Sequence, residues 1–424
     1  MASMMSVLGM VTLIVIAIIF SNNRRAINKR TVIGAFLLQV SLGAFVLYIP
    51  AGRKVLAALS DGISNIIAYG EVGTQFIFGG LVSDKMFELF GGGGFIFALR
   101  VLPAIVFFSS LIAVLYYLGA MTFIINLIGG GLHKLLGTSR TESLSATANI
   151  FVGLTEAPLV IRPYISTMTR SELFAVMCGG AASIAGSILA GYALLGIQLE
   201  YLLAASFMAA PGGLFFAKLL EPETEEPQPI SLSNKLMAEE KPENVIDAAA
   251  SGAASGMQLA LNVGAMLLAF IALIALINGV LGYVGSVFGY TGLSLELILG
   301  WIFSPLAFLL GIPWEDAHIA GSLIGQKFIL NEFVAFSNLS PYLQPDADVA
   351  AMGLQVISEH TKAVISFALC GFANIAAVAI LLGGIGSLAP NRRKDVAQLG
   401  FKAICAGTLS NLMSAALASF FLLL

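Results

Sequence analysis

Two carboxylates stand in surroundings that should exclude them. Glu156 lies within the apolar run that follows Asn149, and Glu332 lies between Ile329-Leu330-Asn331 and Phe333-Val334-Ala335. A carboxylate in a bilayer interior costs several kcal/mol by insertion scales, so both are candidates for function; the competing reading is a structural ion pair or a protonated hydrogen-bond donor. Asn331 and Asn374 each offer an amide donor and acceptor together, which suits vicinal hydroxyls on a sugar, or else an interhelical polar clasp. Asn149 and Ser183 pair a side-chain carbonyl and a hydroxyl beside glycine-rich backbone, oxygen ligands of the kind a hard cation takes. Neither titrates near neutral pH, which favours a monovalent cation over a proton. Lys327, His360 and Lys362 read as interfacial or paired groups. Only three histidines exist, with no His-Glu-x-x-His and no histidine near a candidate nucleophile, so an intramembrane enzyme lacks its machinery. The three cysteines cannot build a disulfide framework, and Cys178 and Cys370 read as small packing residues.

The elements that must position these groups are membrane helices. Hydrophobic residues make up 58% of the 424, and charged residues only 11%, where soluble chains run near 25%. The balance of 21 Lys and Arg against 24 Asp and Glu is near neutral, which argues against a nucleic-acid partner or a polybasic surface protein. Apolar runs long enough to cross about 30 Å of hydrocarbon occur near 4–20, 31–49, 98–120, 170–197, 199–220, 256–283, 359–386 and 398–424. Arg24, Arg25, Lys29 and Arg30 place the first loop in the cytoplasm, so both termini face outward. The same topology puts Lys134, Arg140, Arg162, Arg170, Lys235, Lys241 and Arg392-Arg393-Lys394 on the inner side. Residues 51–70 read as an amphipathic helix along the interface. Residues 121–138 and 293–312 read as amphipathic or tilted helices, and Gly91 to Gly94 as a flexible connection. The Glu- and Pro-rich stretch from Glu221, with Glu239 and Glu240, reads as a cytoplasmic linker.

Residues 141–166 and 314–337 carry their polar groups at mid-segment, and each is too short to cross and return, which points to a re-entrant hairpin. Residues 178–191 can be laid over 370–383 with seven of fourteen positions identical, and Thr155-Glu156 answers to Asn331-Glu332. On the charge-derived topology the two copies are inverted. Inverted repeats with broken helices are the construction of secondary transporters, whereas a channel would show a ring-forming filter sequence.

Gly153-Leu154-Thr155-Glu156-Ala157-Pro158-Leu159, Asn331-Glu332-Phe333-Val334-Ala335, the segment 368–374 and the segment 260–268 resemble, in order and spacing, the signature segments of the concentrative nucleoside transporters. The resemblance covers nearly the whole chain and is to the bacterial type. It implies an all-α integral membrane protein of eight transmembrane helices plus two re-entrant hairpins arranged as inverted repeats, with interfacial helices. It also implies a homotrimer in the inner membrane, with a mobile transport domain that moves elevator-fashion against a scaffold. Family members couple nucleoside uptake to sodium or, in some bacteria, to protons; no organic cofactor is implied. By the same resemblance Thr155 and Glu156 meet the base, Glu332 and Asn374 hold the ribose, and Leu259 and Phe372 form apolar walls, with Gly153, Ile188 and Asn331 also in the site. Sodium would take Asn149 and Ser183 by side chain and Val152 and Ile184 by backbone carbonyl. Many members have Gln at Leu154 and Ser at Ala377, so one base contact and one ribose contact of the family pattern are replaced. The implied division is scaffold over 1–97 and 98–140, a first transport repeat over 141–220, a linker over 221–245, scaffold over 246–313 and a second transport repeat over 314–424.

Overall fold

The computed structural model describes every residue except 1, 91–93, 229–241, 291, 345–348 and 350–352. Most of the glycine run, and Lys235, Glu239, Glu240 and Lys241 of the linker, lie outside the described residues. Every regular element among the described residues is helical. In lipid an open sheet edge would strand backbone groups, and helices satisfy theirs internally.

The chain opens with α1 (Ala2–Ile19) and α2 (Lys29–Gly43), the second capped by the Asn28 side chain, which accepts from the amides of Arg30 and Thr31. Next come α3 (Pro50–Phe78), α4 (Lys85–Phe90), α5 (Phe97–Tyr117) and α6 (Ala120–Leu136). The first hairpin descends through α7 (Arg140–Ala148) and returns as a 3-10 stretch, Ala157–Thr167. A broken span follows, α8 (Arg170–Ala182) and α9 (Gly186–Leu194), and then α10 (Leu199–Leu220). The second half holds α11 (Val245–Val287), α12 (Leu295–Leu309) and the second hairpin, α13 (Trp314–Ile329) and α14 (Glu332–Leu343). It closes with a second broken span, α15 (Glu359–Leu369) and α16 (Ala377–Leu388), and with α17 (Arg393–Leu422).

Both hairpins are entered the same way. Gly137 and Gly311 sit at φ +68° and +90°, a left-handed region that favours glycine, and each ends the preceding helix. After Gly311 the chain bends by 117° between α12 and α13. After Gly137, Ser139 and Glu142 form a reciprocal capping box that starts α7; Thr169 and Glu172 repeat it at α8.

Among the described residues eight helical stretches, the broken α8–α9 counted as one, are long and apolar enough to cross a membrane, and seven coincide with the expected runs. Elsewhere the helices depart from the expected pattern. Residues 359–386, expected as one crossing, are interrupted over 370–376, so neither half alone is long enough. Residues 51–70, expected to lie along the interface, belong to the 29-residue α3, which together with the turn after it and α4 makes up the stretch Pro50–Phe90, long and apolar enough to cross by length and composition. The expected 256–283 span extends upstream to Val245, where the Asn244 side chain accepts from the Asp247 amide and starts the helix inside the expected linker. The linker's first residue is not solvated either. Glu221 is 7% exposed and accepts from Lys402 at 3.0 Å, from Arg170 at 3.1 Å and from Asn22, while Lys218 pairs with Glu142.

Packing separates two groups of helices. α5 and α11 lie along each other, with Gly252 and Gly256 seated on Val106, Ser109 and Ala113, and Ser110 Oγ donating to the Ala249 carbonyl at 2.8 Å. Small residues of this kind let membrane helices approach closely. α8, α10, α15 and α17 form the buried centre, and every residue of α8 after Arg170 is buried. α1 and α2, expected in the scaffold, pack on α17 and α10.

Candidate functional site

Each hairpin tip faces a helix break. In the first repeat the break runs over Ser183-Ile184-Ala185, with Ser183 and Ala185 extended. Gly186 N donates to the Phe151 carbonyl at 3.0 Å, which ties the descending limb of hairpin 1 to the break. In the second repeat Ile375 N donates to the Phe328 carbonyl at 3.0 Å and does the same for hairpin 2. The two breaks join directly through Phe372 N and the Ser183 carbonyl, 3.1 Å apart.

Around the first break, Asn149 is 1% exposed and caps the end of α7. Its Nδ2 donates to the Ser145 carbonyl at 3.0 Å, but its Oδ1 is buried with no partner among the described residues. The amide packs on Gly179, whose carbonyl accepts from Ser183 Oγ at 3.0 Å, so both side chains lie against the same residue of α8. Val152 and Ile184 are buried beside them, outside any helix. An orphaned buried carbonyl oxygen next to a break and a hydroxyl fits a desolvated cation, since a neutral pocket of oxygens leaves one acceptor waiting for positive charge.

Around the second break, Glu332 is 3% exposed and opens α14. Its Oε1 accepts from the Tyr192 hydroxyl at 3.1 Å and its Oε2 from Asn374 Nδ2 at 3.0 Å. Asn374 Oδ1 in turn accepts from Ala377 N at 2.9 Å and starts α16, which places Ala377 at the site's edge. The Asn331 side chain is engaged locally, where its Oδ1 caps α14 by accepting from Val334 N at 2.9 Å. Gln326, in the descending limb, accepts from Asn338 in the returning limb and pins hairpin 2 together.

At the first tip, Glu156 Oε2 accepts from the Gly153 amide at 2.9 Å, and Gly153 abuts Ala185 and Phe372. Thr155 is exposed and touches Gly384 of α16. Leu154 is 5% exposed and packs on Gly180 of α8, where a Cβ would collide with it. Ile188 is buried on α9, Leu259 and Phe372 are partly buried, and Tyr116 of α5 holds a buried, unpartnered hydroxyl within electrostatic reach of Glu156.

Three residues escaped the sequence reading. Tyr192 partners Glu332 from the end of α9, and Tyr116 on α5 holds a buried hydroxyl with no partner among the described residues. Asn411, 3% exposed on α17, donates from Nδ2 to the carbonyls of Ala182 at 2.6 Å and Cys370 at 2.8 Å. A polar residue in the middle of the apolar 398–424 run was the signal that could have found Asn411. Lys327, read as interfacial or paired, is 2% exposed and donates to the Ala368 carbonyl at 2.9 Å and to Asn411 Oδ1 at 2.6 Å.

Two hairpins set against two broken spans around a buried carboxylate and an orphaned oxygen define a multi-pass secondary transporter. Residues 201–419 match the family model described as Na+ dependent nucleoside transporter C-terminus, residues 8–81 its N-terminal counterpart, and residues 98–198 a nucleoside-recognition Gate model. The chain belongs to this family, the concentrative nucleoside transporters. The nucleoside permease NupC of Helicobacter pylori is 55% identical over 99% of this chain and 98% of its own length. Sodium/nucleoside cotransporter 1 of Rattus norvegicus is 40% identical over 98% of this chain and 63% of its own. The transporter CNTnw, solved in an inward-facing substrate-bound state, is 63% identical with a TM-score of 0.94, covering 99% of this chain and 98% of that one. A variant of CNTnw in an outward-facing state is 62% identical with a TM-score of 0.93, over the same shares. The protein is thus a nucleoside transporter of a fold known in both orientations, and its relatives are transporters rather than enzymes.

Proposed function

We propose that the chain imports nucleosides by symport with sodium, and that the coupling ion binds between Asn149, Ser183 and the carbonyls of Val152 and Ile184. The buried, unpartnered Oδ1 of Asn149 carries this proposal. A proton-coupled site would need a titratable group at that place, and the residues there are an amide, a hydroxyl and apolar side chains.

The nucleoside binds between the hairpin tips. Glu332 and Asn374 take the ribose hydroxyls, with Asn331 and Ala377 beside them. Thr155 and Glu156 meet the base, and Gly153, Leu154, Ile188, Leu259 and Phe372 line the remainder. Sodium at the first break stiffens the tip that holds Thr155 and Glu156, which couples ion to substrate: ordering by the first ligand lowers what the second must order. Movement is elevator-like. α3, α5 and α11 are the scaffold of a homotrimer, and the hairpins with both broken spans, α10 and α17 move against it, carrying α1 and α2. The protein sits in the inner membrane with both termini outside.

Uptake of labelled uridine and adenosine into proteoliposomes tests the proposal. Accumulation should follow an inward sodium gradient. Equal accumulation in choline with an inward pH gradient would transfer the coupling to protons.

A further inference from the structure

Lys327 is a buried amine that nucleoside and ion binding, as assigned above, leave unused. Its ammonium lies at the end of α15, among the carbonyls freed where the span breaks. The negative end of a helix dipole favours a cation there, and desolvation strengthens the effect. Aligning Thr155-Glu156 with Asn331-Glu332 puts Phe151 at the equivalent place in the first repeat. The backbone keeps this relation to within one residue, since Phe151 and Phe328, one position after Lys327, each accept one amide from the chain at their own break at 3.0 Å.

The two repeats therefore differ in one respect. At the end of α8 there is no cationic side chain among the described residues, and an oxygen of Asn149 is orphaned. At the end of α15 the ammonium of Lys327 binds a helix carbonyl, and Asn411 connects the two places. Asn411 accepts from Lys327 and donates to Ala182, the last residue of α8, and to Cys370, which caps α15. All of its side-chain polar atoms are engaged, and Gly371 leaves it room, because a Cβ there would collide with the amide.

We propose that Lys327 is a tethered cation: it does for the second break what a mobile cation does for the first, and through Asn411 it holds both breaks in register. It is a positioning residue that touches no substrate. By fixing Ala368 and Cys370 it sets the direction of the segment 371–376, and hence of Phe372 and Asn374. The inference rests on the nucleoside site proposed above for what those residues then contact.

The test uses the purified full-length protein, with uridine binding measured calorimetrically in sodium. Lys327→Met keeps the volume of the stem and removes the charge, and should weaken uridine binding at least about tenfold, because the segment 371–376 would then hold its binding-competent direction only a fraction of the time. Lys327→Ala should lose as much and regain part of it when methylammonium chloride is added, because a small ammonium can enter the vacated place. Methylammonium should leave wild type and Asn411→Ala unchanged. In the double variant, Lys327→Met with Asn411→Ala, the losses should fall well short of adding, since the two act as one clamp. Wild-type affinity in Lys327→Met overturns the inference, as does a folded Lys327→Ala whose loss no amine restores. If Lys327→Ala fails to fold, Lys327→Met and the double variant decide the matter. Unimpaired uridine binding by Glu332→Gln would instead overturn the site, which separates the two failures.

Discussion

Replacing Glu332 with Gln keeps the shape of the side chain and removes its charge. Each carboxylate oxygen already accepts one hydrogen bond, from Tyr192 at 3.1 Å and Asn374 at 3.0 Å. A carboxylate offers about four lone-pair sites, so one remains on each oxygen, a match for two neighbouring ribose hydroxyls. Hydrogen bonds to a charged group contribute about 1.5–3 kcal/mol and neutral ones about 0.5–1.5, so each ribose contact should weaken by about 1–1.5 kcal/mol. For both contacts the sum is about 2–3 kcal/mol, or roughly 30- to 150-fold in affinity. Calorimetric titration with uridine, 2′-deoxyuridine and 2′,3′-dideoxyuridine in sodium tests the origin of that loss. The penalty, on a logarithmic scale, should fall by about half with each hydroxyl removed from the ligand. An equal penalty for uridine and the dideoxy ligand would mean that Glu332 supports the hairpin and does not hold the sugar.

Asn149→Ala removes the orphaned oxygen and should raise the sodium concentration for half-maximal uridine uptake by roughly tenfold, with uridine affinity recovering at saturating sodium. An unchanged sodium curve would clear Asn149 of ion binding. Leu154→Gln offers a donor and an acceptor where Leu offers apolar surface, and should shift the ratio of pyrimidine to purine uptake more than 2′-deoxy discrimination. If competition assays show an unchanged base ranking with an altered deoxy ratio, position 154 does not face the base. Glu221 concerns stability and pH. Burial raises its pKa, but hydrogen bonds from Lys402, Asn22 and Arg170 outweigh that and leave it below the usual carboxylate range. Its contribution is therefore fully present above that range and is lost as the pH falls through the lowered folded value. In detergent, Glu221→Gln should melt below wild type at pH 7, and the gap should close on acidification below about pH 4.5; a gap of constant size would show that the charge of Glu221 does not stabilise the fold.

The hairpins were legible because a carboxylate inside an apolar run has few explanations, and the breaks because Gly and Ala cluster where a membrane helix can unwind. The register of the breaks was not. Residues 178–191 and 370–383 align well, yet Cys178 sits inside α8 and Cys370 caps α15, so the second break opens earlier in the aligned frame. Sequence identity between the repeats records similar helix packing. Where a helix stops depends on which side chains receive its freed carbonyls, and these come partly from elsewhere in the chain: Ser183 locally and Asn411 from α17 for α8, Lys327 and Asn411 for α15.

The same reasoning explains why Tyr192 was missed. Glu332 and Asn374 announce themselves by polarity in apolar runs, whereas Tyr192, near the end of a span, has the appearance of any interfacial aromatic anchor. Its role depends on α9 being displaced by the break before it, which brings the hydroxyl to Glu332 while the ring packs on Phe333 and Phe336 at centroid distances of 4.7 and 4.6 Å. Had the span continued unbroken through Ser183, Tyr192 would sit elsewhere and Glu332 would lose one of its two protein donors. On the proposed assignment the break is therefore part of the substrate site as well as of the ion site. Since both breaks are joined by Phe372 N and the Ser183 carbonyl, an ion bound at the first break, as proposed, would act on the proposed sugar-binding residues through a single hydrogen bond and the Asn411 bridge.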